Sequence, residues 1–249
     1  MSIFLWYGYE GGILDRAKRI KEAGFSSVSM WWEPEEARSP LDNLRIIRSL
    51  GLSVDQVHLA YYPGGLWSGE EVTYAKAFTR SLEELSQGCV PLAVFHPASQ
   101  EEIDRPVSEE GIYQFSKIYE RARVLGIELA GENLKEDKHL LALLDSFDIS
   151  LCLDTGHLGV SGNYPLLKNY FHRVRSLHIH DNNGVEDLHL IPGDGILDLE
   201  SLLKELPADV DLHLEINKGL NNHYMNMSEE EFLNRAQRSL ERLGGKLGR

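Results

Sequence analysis

Cysteine is nearly absent from this chain: its two residues, Cys89 and Cys152, cannot build a disulfide framework. Cys152 lies inside an apolar run, where a small buried thiol is the ordinary reading, and the pair suits a reducing compartment. Positive charge is scarce as well. Lys and Arg number 25 against 39 Asp and Glu, a formal net charge of -14, which disfavours attraction to nucleic acid or to an anionic membrane. No apolar run approaches the length of a membrane span, and the first residues, M-S-I-F-L-W-Y-G-Y-E, carry no charged leader or long apolar core. A soluble, cytoplasmic protein is expected. The phosphate loop G-x-x-x-x-G-K-[ST] is missing, and G-Y-E-G-G after the first apolar run only weakly imitates a dinucleotide-binding turn.

What is present is a repeat of apolar runs, each followed by a segment of helical period. Strands are predicted at 3–9, 27–32, 54–59, 92–95, 127–130, 151–154, 176–181 and 210–216. Helices are predicted at 12–23, 41–50, 70–87, 108–125, 137–147, 164–173, 199–206 and 228–243, several of them stopped by glycine, with Ser228 and Glu231 as a capping box. Eight such units in 249 residues, with no linker or low-complexity stretch, predict a single closed (β/α)8 TIM barrel over residues 1–249. An open doubly wound sheet is the rival, disfavoured by its missing glycine signature.

The strand ends carry the chemistry. The sixth and seventh units finish in L-C-L-D-T-G-H (Leu151 to His157) and S-L-H-I-H-D (Ser176 to Asp181). Parallel strands bring their carboxyl ends to one rim, so these groups converge. Reading off the other ends adds Glu33, His58, His96, Glu132 and Glu215, with Asp187 and His189 in the loop after strand seven. Mixed imidazole and carboxylate suit zinc or manganese, with cobalt, iron or magnesium as alternatives. The candidate ligands are Glu132, Asp154, His180, Glu215, His58, His96, His157, Asp187 and His189. At about four to six ligands per ion, nine exceed the need of one cation, and one to three ions can be accommodated. A single-cation site whose remaining histidines bind substrate fits equally well. The bland alternatives are buried ion pairs for the carboxylates and a solvated loop for Asp187 and His189. Glu33, just before Pro34, reads more readily as a helix start. His178 and His213 lie two residues deeper than the candidates on their strands and are expected as hydrogen-bonded interior histidines. His139, His172 and His223 are expected on the surface.

The motifs F-H-P (Phe95 to Pro97), G-E-N (Gly131 to Asn133), D-T-G-H, H-I-H-D, D-L-H-L-I-P-G-D-G (Asp187 to Gly195) and L-E-I (Leu214 to Ile216) run in order over most of the chain. In them the sequence resembles the xylose isomerase-like barrel superfamily, which includes sugar isomerases and epimerases and endonuclease IV-like proteins (AP endonuclease family 2). The resemblance implies two function classes. In the first, a divalent cation held by counterparts of Glu132, Asp154, His180 and Glu215 binds neighbouring oxygens of a ketose or hydroxy-carbonyl and stabilises an enediolate. Glu132 and Glu215 then shuttle the proton and His157 steadies a substrate oxygen. In the second, counterparts of all nine residues hold three zinc ions that activate water against a phosphodiester. Duplex-gripping proteins need basic, intercalating loops, whereas this chain is acidic and offers Trp31-Trp32 and Tyr61 to Trp67 at its rim, with scattered cations such as Arg38, Lys135 and Lys218. Aromatic walls suit a small sugar-like substrate, the alternative being packing of the mouth or a homo-oligomer contact. The expectation is a metal-dependent isomerase or epimerase in carbohydrate metabolism, with no membrane partner; the alternative is a multinuclear zinc phosphodiesterase.

Overall fold

A computed structural model of the chain describes residues 1–60, 65–68, 72–99 and 101–248. Among these the strands are β1 (Ser2–Phe4), β2 (Ser27–Trp32), β3 (Gln56–Leu59), β4 (Leu92–Phe95), β5 (Glu128–Glu132), β6 (Ser150–Asp154), β7 (Val174–His178) and β8 (His213–Leu214). The helices are α1 (Ile13–Glu22), α2 (Pro40–Ser49), α3 (Val72–Gln87), α4 (Glu109–Leu125), α5 (Lys138–Ser146), α6 (Thr155–Ser161), α7 (Tyr164–Leu167), α8 (Leu199–Lys204) and α9 (Glu229–Leu247). All strand pairs are parallel, in the order β7-β6-β5-β4-β3-β2-β1-β8. The ring closes through a single parallel bridge between Ile179 and Leu214, where Ile179 N–H donates to His213 O at 2.8 Å and Glu215 N–H to Ile179 O at 3.1 Å. The chain is therefore a (β/α)8 barrel, nearly closed, and parallel connectivity puts every strand's carboxyl end on one rim.

Local sequence accounts for the helices. Ser39, Ser108 and Ser228 cap α2, α4 and α9 by accepting from Asp42, Gly111 and Glu231 N–H. Gly126 ends α4 at φ 69°, a left-handed conformation that glycine adopts without steric penalty. The apolar stripes of the helices pack on the outward sheet face in one continuous core, with Ile13, Ile20, Phe78, Phe115, Leu143 and Phe232 buried within it.

The inside of the barrel is more polar than is usual for the fold. His213 is fully hydrogen-bonded there, Nε2 with Ser29 Oγ and Nδ1 with Ser2 Oγ, both at 2.8 Å. On another flank, the Cys152 thiol donates to Ser176 Oγ at 3.3 Å, and Ser176 donates on to Gln56 at 2.7 Å. Ser2, Ser29, Cys152, Ser176 and His213 are buried, so the pairing is what makes their polar atoms tolerable.

Several element boundaries differ from expectation. β1 and β8 are shorter than the apolar runs that predicted them, because Leu5, Tyr7, Val210 and Ile216 are buried by packing outside the ladder. The stretch after Asp154, for which no helix was predicted, is helix α6: Asp154 accepts the His157 N–H at 2.6 Å and starts the helix on the last strand residue. The expected helix 164–173 is the single turn α7 followed by a 3-10 segment, Lys168–Arg173.

Candidate active site

The candidate residues sit on this rim, each brought there by the end of its strand. Glu132 ends β5, Asp154 ends β6, His178 ends β7 and Glu215 follows β8, while His58 belongs to β3 and His96 follows β4. One ligand atom from each of Glu132, Asp154, His178 and Glu215 lies within 4.8 Å of the others. Glu132, only 1% exposed, is the hub. Its Oε2 is 2.9 Å from His58 Nε2 and 3.1 Å from His96 Nε2, and its Oε1 is 3.1 Å from His178 Nδ1. His178 Nδ1 is also 3.1 Å from Glu215.

An outer group stands beside this one. Asp187 Oδ2 is 3.1 Å from His157 Nε2, and its Oδ1 is 3.5 Å from His189 Nε2 and 3.7 Å from His180 Nε2. His180, expected beside Glu132 and Glu215, is grouped instead with Asp187 and His189. It stacks on His189 at 4.0 Å between centroids and holds Nε2 at 3.1 Å from both oxygens of Asp154. Beside Glu132, Asp154 and Glu215 stands His178, the histidine expected as a hydrogen-bonded interior residue. Register explains the exchange: a bulge between β6 and β7 at Leu151/Cys152 sets Asp154 directly beside His178.

The donor set fits a divalent cation. Three imidazoles have Nδ1 on a backbone carbonyl and Nε2 facing a carboxylate. His58 Nδ1 is 2.9 Å from Leu59 O, His157 Nδ1 2.9 Å from Asn133 O, and His189 Nδ1 2.7 Å from Glu215 O. Such anchoring commits the Nδ1 proton to the backbone and leaves Nε2 free to ligate. Asp187 Oδ1 and His180 Nδ1 are buried without a hydrogen-bond partner among the described residues, an expensive condition that a cation or a bound polar ligand relieves. His189 has φ 48°, an uncommon conformation for a non-glycine residue, held by its ring bond to Glu215 O and by Asn217 N–H on its own carbonyl.

The electrostatics follow from burial competing with charge. Burial favours neutral groups, but the charges of Asp154, Glu132 and Asp187, with the hydrogen bond to Asp187, lift His157 to about 11. His189 is lifted to about 9, chiefly by Asp187 and Glu215 against the same burial. His178 is held well above the ordinary histidine range, overcoming burial through Cys152, Glu215 and Glu132. Against burial, the neighbouring rings, His178 foremost, hold Glu132 well below the carboxylate range, and His157 foremost holds Asp154 at about 2. Carboxylates therefore face raised imidazoles at His157, His178 and His189, while burial pushes His96 below the ordinary histidine range.

Above this floor opens a cavity of about 460 Å³. Phe4, Trp6 and Trp31 line one side, and Leu134 and Lys135 the other. Trp31 also lies over His58 at 4.2 Å between centroids. Phe4 and Trp6 were not foreseen from the sequence, although their alternation along the first apolar run was the available signal. Trp32 is buried in the core and Glu33 is exposed and does not line the cavity. Of the expected aromatic loop 61–67, residues 61–64 fall outside the described residues. Trp67 is buried against His139 at 4.7 Å rather than facing the cavity, and His139 is buried rather than on the surface. Arg38 pairs with Glu36 and Lys218 lies over the Tyr9 ring.

Residues 17–236 match the family model described as xylose isomerase-like TIM barrel, and the chain belongs to that family. An uncharacterized protein of Sinorhizobium fredii, y4fM, is 24% identical over 249 residues, covering 80% of this chain and 78% of that protein. A crystal structure of D-psicose 3-epimerase with D-tagatose from Clostridium cellulolyticum superposes with TM-score 0.74 at 14% identity, over 99% of this chain and 98% of that one. The TTHB071 protein of Thermus thermophilus, soaked with zinc chloride, gives 0.68 at 22% identity, over 100% and 98%. Among the described residues no helix is long and apolar enough to cross a membrane.

Proposed function

We propose that this protein is a divalent-cation-dependent isomerase or epimerase of a small sugar or related hydroxy-carbonyl compound. The observation that carries the reading is the pair Glu132 and Glu215, both within 3.1 Å of His178 Nδ1, beneath an aromatic-walled cavity of about 460 Å³. Two carboxylates converging on one floor from β5 and the end of β8 can remove a proton from one face of a substrate carbon and return it to the other. Glu132, Asp154, His178 and Glu215 would hold the cation, whose chemistry is to draw charge from the substrate oxygens and so acidify the neighbouring carbon-bound proton. Glu215, more exposed than Glu132, would take the proton from one face as a carboxylate, and Glu132, in contact with His58, His96 and His178, would carry a proton and give it to the other face, the two exchanging roles in the reverse reaction. His157, its Nδ1 on Asn133 O, would share the Nε2–H that meets Asp187 Oδ2 with a substrate oxygen. Phe4, Trp6 and Trp31 cover the sugar's apolar face and exclude water. The structural likeness to a D-psicose 3-epimerase supports this reading at the level of architecture.

The test is incubation of a ketose panel in deuterium oxide with manganese or zinc. Deuterium is expected at the carbon next to the carbonyl; an unlabelled panel, or full activity in Glu215→Gln, contradicts the proposal.

One observation favours a second reading, a multinuclear phosphodiesterase. His58 and His96 beside Glu132, and His157, Asp187 and His189 beyond it, offer more donors than one cation needs. Against it, Lys135 is the single Lys or Arg among the described residues lining the cavity, and the net charge is -14. Cleavage of an abasic-site duplex or of bis-nitrophenyl phosphate at low salt would favour this reading over the first.

A further inference from the structure

The loop 182–197, between β7 and α8, carries Asp187 and His189 over the rim, yet it has no strand or helix of its own to stiffen it. Its middle is held from outside, Leu188 O by Asn221, His189 O by Asn217 N–H and Ile191 N–H by Tyr224, while both of its ends are gathered by one buried carboxylate beneath it. Asp181, 1% exposed, accepts three backbone N–H groups: Asn182 at 2.9 Å and Leu197 at 3.0 Å on Oδ1, and Gly193 at 2.9 Å on Oδ2. The Asp181 backbone pairs in both directions with Leu190, at 2.8 and 2.9 Å. Asn182 continues the clamp by donating to Gly156 O at 2.9 Å and accepting from Gly184 N–H at 2.8 Å. Gly195 is packed so tightly that a Cβ there would overlap Asp181 Oδ1 and Asn182 O.

We propose that Asp181 is the positioning residue of the outer group, fixing Asp187 and His189 against His157 by holding both ends of the loop that bears them. Asp181 touches neither the cavity nor the rings; it acts through backbone alone. A carboxylate is needed because three donors converge on two oxygens, and an amide in its place would set an N–H against the Gly193 N–H. The consequence for turnover rests on the isomerase reading, since His157 there donates to substrate and depends on Asp187 for its orientation.

The test uses the full chain without metal. Long-range nitrogen NMR of the ring signals, assigned by His→Gln replacement, is recorded for wild type, Asp181→Asn and Gly195→Ala, the last displacing the carboxylate while retaining it. The ring signals of His157 and His189 are expected to shift in both variants while those of His58 and His96 stay in place. Unshifted His157 and His189 signals in a folded variant overturn the proposal, as does an equal shift of all four, the mark of a general structural role. If one variant fails to fold, the other decides. A wild-type protein that exchanges no ketose proton refutes the isomerase reading and leaves the ring shifts to judge Asp181 separately.

Discussion

The ring Nδ1 of His178 lies 3.1 Å from a carboxylate oxygen of Glu215, at the same depth as Asp154, its register partner across β6 and β7. That places His178 where one cation would reach Glu132, Asp154 and Glu215 together. His178→Ala is accordingly expected to weaken zinc or manganese binding beyond the roughly 10- to 100-fold that loss of a supporting neighbour costs, and His180→Ala to stay within that range. Isothermal titration of the metal-free variants separates the two; equal losses, or a larger loss in His180→Ala, contradict the assignment.

Proton transfer between two carboxylates makes a kinetic demand. Glu132→Gln and Glu215→Gln are each expected to lower kcat by about 10² to 10⁴, the usual worth of a positioned acid or base. Glu215→Gln should also abolish solvent-deuterium uptake while the folded protein keeps its thermal transition. Activity lost through KM alone would mean that these groups only bind.

Acidity of the medium governs cation binding through the raised histidines. With His189 at about 9 and His157 at about 11, both rings are protonated at neutral pH before a cation arrives, so ligation through either must expel a proton. Apparent affinity at the outer group is expected to rise as pH climbs toward 9, and binding heats to vary with the ionisation enthalpy of the buffer. Stability runs in the matching direction. The His157 contribution, from a value raised above 6.5, is present below that pH and fades as pH climbs through about 11. That of Asp154, lowered from 3.8, is present above that pH and is lost as pH falls through about 2. Buffer-independent heats would contradict this picture.

The rim loop 65–68 is held by a different carboxylate. Glu102, 2% exposed, accepts the N–H groups of Leu66, Trp67 and Ser68 at 3.0, 2.6 and 2.9 Å, and the Trp67 indole donates to Pro97 O at 2.8 Å. Glu102→Ala strands those donors and is expected to cost about 3 kcal/mol or more in urea unfolding, at about 1–3 kcal/mol per unpaired buried group. A loss under about 1 kcal/mol would show that water replaces the carboxylate without penalty.

The barrel was legible in the sequence because both of its periods are local: two along each strand and about 3.6 along each helix. Glu132, Asp154, His58 and His96 could be located because each ends an apolar run, and strand ends meet on one rim. His178 and His180 share parity, so alternation alone cannot rank them. The choice depends on the bulge at Leu151/Cys152, a property of pairing between β6 and β7 rather than of either strand's composition. Helix α6 was hidden for a related reason: Asp154 serves as strand end, helix cap and candidate ligand at once, so its chemistry masked its capping role. His139 read as surface because it lies in a helix among polar neighbours, whereas its burial comes from Trp67, delivered by a distant loop.

The most direct test of the account is an anomalous-difference map from crystals grown with manganese or zinc. The account expects the strongest peak to be bounded by Glu132, Asp154, His178 and Glu215. A map with no peak among those four side chains, or one whose cation is ligated by His180 with His178 beyond bonding distance, would contradict it.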